Sequence, residues 1–159
     1  MKITNEEIAY HEAGHALVAI TFNLPIKEIA IKTRKKSLGH TSYGDPFADP
    51  SKASKEEKLN YMINKITASW AGYIAQSKFN SLADRFFASH DEKKANQLIE
   101  HMELGTELEK QLRTRTFLEA GILINNKKNW KIIESLVKEL VTRKKLNLQE
   151  MQEIIKKVN

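Results

Sequence analysis

Two histidines four residues apart enclose a glutamate in the run His11-Glu12-Ala13-Gly14-His15. On an α-helix, positions i and i+4 share a face, so both imidazoles can reach one metal ion. Glu12 is turned about 100° from His11 around the helix axis. That leaves it beside the ion, within reach of a proton on bound water. Neutral imidazoles and a carboxylate suit zinc, which lowers the pKa of its water to about 7. The chemistry of such a set is hydrolysis of a peptide carbonyl, with Glu12 passing the water's proton to the leaving amine.

Two imidazoles do not complete a catalytic zinc site, which needs a third protein ligand and an open position. The candidates are His40, Asp45, Asp49, Asp84, His90, Asp91 and His101. Spacing alone does not choose between Asp84, His90 and Asp91. The chain has no cysteine, which excludes thiolate metal centres, disulfides and a Cys nucleophile.

The elements that must position these groups are mostly helices. Thr4-x-x-Glu7 is a capping box, and it opens a helix over 5–22 that Asn23, Leu24 and Pro25 stop. Ile26 to Thr33 is rich in β-branched residues and reads as a strand. A basic turn, Arg34-Lys35-Lys36-Ser37, leads to a second extended piece, Gly39 to Tyr43, and a loop follows over 44–51. A second capping box, Ser54-x-x-Glu57, opens a long helix. On it Leu59, Met62, Ile63, Ile66, Trp70, Tyr73 and Ile74 form an apolar stripe that reads as core. N-cap patterns at Ser89-x-x-Glu92, Thr106-x-x-Glu109 and Asn147-x-x-Glu150 imply helices near 90–104, 107–125, 130–144 and 148–157, with Gly105 as a C-terminal stop. The fold class is mainly α, with a short β-hairpin-like insertion. The chain reads as a single domain over 1–159: a catalytic helix 5–22, a β segment 26–43 and a helical remainder 54–157.

Length and charge agree with that. At 159 residues one domain is expected, large enough to form a core without disulfides. The 26 Lys plus Arg exceed the 20 Asp plus Glu by six, and a basic surplus raises the question of nucleic acid. Residues 127–159 hold nine of the basic and four of the acidic residues, so most of the surplus lies in the closing helices. There it alternates with apolar positions, as a solvated face does, with docking to an acidic protein partner the lesser reading. No zinc-finger, RRM or KH pattern occurs, so no nucleic-acid partner is expected. No apolar run approaches the roughly 20 residues of a membrane span, and the N-terminus has no signal-peptide pattern. The expectation is a cytoplasmic protein with no membrane association.

Ala9 to Ala19, with the HExxH at its centre, resembles the opening of the peptidase domain of FtsH-type AAA proteases. The likeness continues. Ile29 to Thr33 followed by Ser37-Leu38-Gly39-His40-Thr41 resembles the family's strand and its "ALGYT" segment. Ala71-Gly72-Tyr73-Ile74-Ala75 resembles the helix carrying "GGRAAE". Ala88-Ser89-His90-Asp91 falls where the family has "GASND", and Ala95 and Met102 fit the helix after it. Leu118 to Ile155 is similar to the closing helices.

The resemblance implies a helical zinc-peptidase domain with one zinc ion per chain, held by His11, His15 and Asp91, with Glu12 as the catalytic base. His90 is then a cap-region residue or one that supports a ligand. Leu38, Gly39, His40, Thr41, Ser42 and Tyr43 become the strand on which an extended substrate pairs. Departures are specific. Gln76 and Ser77 stand where the family has two glutamates, so a glutamate on that helix cannot be the third ligand. Tyr73 replaces an arginine, and Phe87 a glycine. Gly14 and Gly72 are kept, for close helix approach. No GxxxxGK[ST] phosphate loop occurs in the sequence, so this chain does not itself couple ATP to unfolding. The implied function is a zinc-dependent metalloendopeptidase for unfolded or loosely structured polypeptides, ATP-independent by itself unless a separate ATPase partner feeds it. The alternative is a catalytically silent, metal-containing peptide-binding or adaptor domain.

Overall fold

The computed structural model describes residues 3–32, 38–47, 49, 51–82 and 86–158, with backbone alone at 86–88. The basic turn 34–37 and Asp84 lie outside the described residues. Among the described residues, six helices and three strands follow in the order α1 (Asn5–Thr21), β1 (Ile26–Ile31), β2 (Gly39–Tyr43), α2 (Lys55–Phe79), α3 (Phe86–His101), α4 (Thr106–Asn125), α5 (Lys127–Arg143), β3 (Lys145–Asn147) and α6 (Leu148–Val158). The mainly α class with a short β insertion is observed. Among the described residues no helix is long and apolar enough to cross a membrane.

Helix α1 is the axis of the structure. Every residue from Glu7 to Ala19 is buried, so the helix is enclosed on all sides rather than on one stripe. It begins as its sequence dictates. The Thr4 side chain accepts from the Glu7 N–H while the Glu7 side chain accepts from the Thr4 N–H, which satisfies orphan donors at the helix start. Helix α2 packs along α1, with α5 and β1 also against it.

The buried face of α2 differs from the expected stripe. Ile66 and Trp70 are buried, but Leu59 is 43% exposed, and Met62, Ile63, Tyr73 and Ile74 are only half-buried. The tightest contact runs instead along Ala68, Ala71, Gly72 and Ala75. Small residues let two backbones approach, so burial follows them and the larger side chains are left at the margin. A Cβ on Gly14 would lie 2.5 Å from the Ala71 carbonyl oxygen and 2.7 Å from the Ala75 Cβ. Only glycine fits that crossing.

The sheet has strand order β2-β1-β3, antiparallel throughout. Ile29 pairs with Thr41 on one side and Leu146 on the other, and Ile31 pairs with Gly39. Strand β3 is absent from the sequence reading, which leaves 145–147 as a gap between two helices. Three residues carry too little alternation to be recognised, although Leu146 is fully buried between exposed Lys145 and Asn147. Strand β2 is an edge strand, paired on one side only among the described residues.

Several helix ends differ from expectation. Helix α3 begins at Phe86, so Ser89 lies inside it and is not its cap. Asp91 therefore sits in the second helical turn rather than the first. Gly105 has φ +82° and occupies the N-cap of α4, with no side-chain cap bond. It starts a helix instead of stopping one, and Thr106 is already helical. Helix α5 starts at Lys127, three residues before the expected position, because Asn126 accepts from the Lys128 and Asn129 N–H groups. The capping pair Asn147 and Glu150 is present at the start of α6.

Candidate metal centre and active site

The helical spacing of His11 and His15 turns both rings toward α2 and α3, where Asp91 meets them. His11 Nε2 is 2.8 Å from Asp91 Oδ2, His15 Nε2 is 3.1 Å from the same oxygen, and the two Nε2 atoms are 3.1 Å apart. All three side chains are buried. Donors on a tetrahedral zinc ion with bonds of about 2.0–2.1 Å stand about 3.3 Å apart, so this triangle is close to one face of such a site.

The imidazole tautomers point the same way. His15 Nδ1–H donates to the Ala68 carbonyl oxygen at 2.7 Å, and His11 Nδ1–H donates to Gln76 Oε1 at 3.1 Å. With each Nδ1 engaged as donor, each neutral ring presents the Nε2 lone pair to the centre of the triangle. Two lone pairs and a carboxylate within 3.1 Å of one another repel unless positive charge lies between them. The titration of the group reflects that demand. Burial disfavours a charged His15, but Asp91 outweighs it and raises its pKa. Burial likewise opposes ionisation of Asp91, yet the two imidazoles hold its carboxyl well below the usual range. A divalent cation meets the same demand, and the chemistry of the donor set fits one.

Gly72 closes the site from the α2 side. A Cβ there would lie 2.6 Å from His15 Cε1 and 2.9 Å from His11 Nε2. The kept glycine thus makes room for the imidazoles themselves as well as for helix approach, a role that spacing does not reveal. Glu12 is buried beside the triangle, and its Oε2 accepts a 2.7 Å hydrogen bond from Thr41 Oγ1. A Cβ on Gly39 would collide with Glu12 and Ile8, so β2 lies directly against the carboxylate. These groups open onto a cleft of about 660 Å³ that also includes Leu38, His40, Tyr43 and Lys65.

The family model for peptidase family M41 matches residues 2–105, well over half of the chain. The chain belongs to peptidase family M41. This is the family of FtsH-type peptidases, and membership carries a metallopeptidase-type function, a metal cofactor and polypeptide substrates. The matched span contains α1, β1, β2, α2 and α3, which together carry His11, Glu12, His15, Thr41 and Asp91. No curated protein matches the chain.

Among the described residues, the other ligand candidates do not converge on the triangle. His40 Nε2 faces Glu28 Oε1 at 3.1 Å. Asp49 accepts from the Ser51 backbone N–H and hydroxyl in its loop. His90 is exposed at the cleft rim, and His101 is exposed at the end of α3. Among the described residues, His11, His15 and Asp91 are the group whose donor atoms converge. Sequence reasoning noted Gln76 only as a departure. Its oxygen in fact orients His11, and its fully buried position on α2 is the available signal.

Proposed function

We propose that this M41 member is a zinc-dependent metalloendopeptidase acting on unfolded or loosely structured polypeptide, with His11, His15 and Asp91 as ligands to one zinc ion and Glu12 as the general base. The observation that carries the reading is the triangle of three buried donor atoms with Glu12 beside it. When bound, zinc supplies Lewis acidity toward water and the substrate carbonyl. The remaining work falls to the chain. Glu12, held by Thr41, takes a proton as water attacks the carbonyl carbon. It then returns that proton to the amine as the C–N bond breaks.

Residues 38–43 are proposed to hold the substrate. Among the described residues β2 is the edge strand and runs past Glu12, and an extended peptide added along it gains main-chain hydrogen bonds without needing a particular side chain. That suits loose polypeptide, because a folded segment cannot present an unpaired strand. The sequence contains no phosphate loop, and hydrolysis of such chains requires no nucleotide.

The test is metal analysis joined to activity. Purified protein should hold about one zinc per chain and cleave casein, with cleavage lost on chelation and restored by zinc. Glu12→Gln should keep the zinc and lose at least a hundredfold in kcat, within the range that general bases contribute. Full cleavage by that variant would refute the mechanism, and full zinc with no cleavage by the parent protein would favour a silent peptide-binding domain.

A further inference from the structure

Lys65, on α2, projects into the cleft with its Nζ 2.6 Å from the centroid of the Tyr43 ring. It is half-buried, and among the described residues no carboxylate lies within ion-pair distance of it. Lys93 and Lys94 line the same cleft. The carboxylates lining it are Glu12 and Asp91, which the reading above assigns to proton transfer and metal ligation. Lys94 Nζ pairs with Asp91 Oδ1 at 3.8 Å, whereas Lys65 has no such partner among the described residues.

We propose that the cleft selects polypeptide segments with an acidic side chain close to the scissile bond, and that Lys65 is the residue that reads it. This rests on the peptidase reading and names its substrate class. Register supplies the position. Thr41 holds Glu12, and Tyr43, which underlies Lys65, is two residues further along β2 on the same face. A strand rises about 3.3 Å per residue, so Lys65 stands about 7 Å from the catalytic carboxylate along the strand. A peptide on the edge of β2 thus offers Lys65 a side chain two residues from the bond to be cut.

The Lys65 environment supports this. Burial first, and the Lys94 ammonium second, push its pKa down to about 7. A substrate carboxylate supplies the missing counter-charge. A partly desolvated, charge-assisted hydrogen bond is about twice as strong as a neutral one, so a preference of about tenfold or more is expected.

The experiment uses the zinc-loaded protein and a set of otherwise identical unstructured peptides, with Glu or Gln at each position within three residues of the cleaved bond. The parent protein should show kcat/KM about tenfold higher for Glu two residues from the bond. Lys65→Met should reduce that ratio to below twofold, and Lys65→Arg should retain it. Equal rates for Glu and Gln peptides in the parent overturn the proposal, as does an unchanged ratio in Lys65→Met. If Lys65→Met does not fold, the positional series on the parent decides alone: a flat profile overturns the proposal and a peak at that position upholds it. Anisotropy of the same peptides on zinc-loaded Glu12→Gln separates the two readings. Acid-selective binding without cleavage by the parent removes the peptidase reading and keeps Lys65, whereas cleavage without selectivity does the reverse.

Discussion

Thr41 Oγ1 donates a 2.7 Å hydrogen bond to Glu12 Oε2, tying the edge strand of the sheet to the carboxylate on α1. One oxygen of Glu12 is thereby fixed, and the carboxylate keeps one orientation relative to the imidazoles. Thr41→Val has nearly the same shape and removes the donor. Hydrogen bonds to charged groups contribute about 1.5–3 kcal/mol, and part of that holds the base in place. The variant should lose about tenfold in kcat on casein while its zinc content stays at the parent level. Thr41→Ser should recover most of the loss. A Thr41→Val enzyme with unchanged kcat would show that packing alone positions Glu12.

Gln76 bears on the metal rather than the base. Its Oε1 accepts from His11 Nδ1–H, while its Nε2 is buried without a partner among the described residues. Partners of this kind usually change metal affinity by about 10–100-fold when removed. Gln76→Leu should therefore weaken zinc binding to that extent in a chelator competition. Gln76→Glu should tighten it, because a carboxylate accepts the same N–H more strongly and leaves no stranded donor. Parent-level affinity in Gln76→Leu would mean that packing and the contact with Asp91 suffice to set the His11 ring.

The two glycines at the α1–α2 crossing should fail differently. Gly72→Ala places a methyl group on the His11 and His15 rings, so zinc stoichiometry should fall below half while the helical circular dichroism is retained. Gly14→Ala meets the Ala71 carbonyl and Ala75, which are backbone and helix core. Overpacking of that kind costs about 1–3 kcal/mol, and at this chain length each kcal/mol lowers Tm by about 2–4 °C. The Gly14 variant should melt earlier yet bind zinc when folded. Identical phenotypes would contradict the division of roles drawn from their contacts.

What the sequence made legible was mostly local. His11, Glu12 and His15 belong to one helix, so their relation follows from helical geometry, and the Thr4–Glu7 box marks where that helix begins. Asp91 is 80 residues from His11, and no periodicity reaches that far. Family likeness singled it out from Asp84 and His90. The face of α2 was misjudged because hydrophobicity weighs large side chains, whereas this interface is set by how closely backbones approach at Gly14, Ala71 and Gly72. Ser89 and Thr106 fit a capping pattern, yet both lie within helices. The pattern describes residue types, and the chain had already entered a helix three residues earlier at Phe86 and begun α4 from Gly105. Strand β3 exists because β1 offers Leu146 a buried position, a tertiary fact with no local trace.

Glu7 gives the fold a dependence on pH. Its Oε2 accepts from the Thr4 N–H at 2.7 Å and from the Thr4 hydroxyl at 3.1 Å, and its Oε1 accepts from Asn80 Nδ2 at 2.7 Å. It therefore joins the start of α1 to the C-cap of α2. The Thr4 backbone N–H, opposed by burial and helped by Asn80, lowers its pKa below the usual 4.5. A carboxylate whose pKa is depressed by folding adds stability above its unfolded value, and that stability is lost as pH falls through the folded value. Glu7→Gln should then cost about 1 kcal/mol at pH 7, the usual scale for a cap. The difference in Tm between parent and variant should shrink steadily below about pH 4.5. A difference that stays constant from pH 7 to pH 3 would show that Glu7 acts through packing and not through its charge.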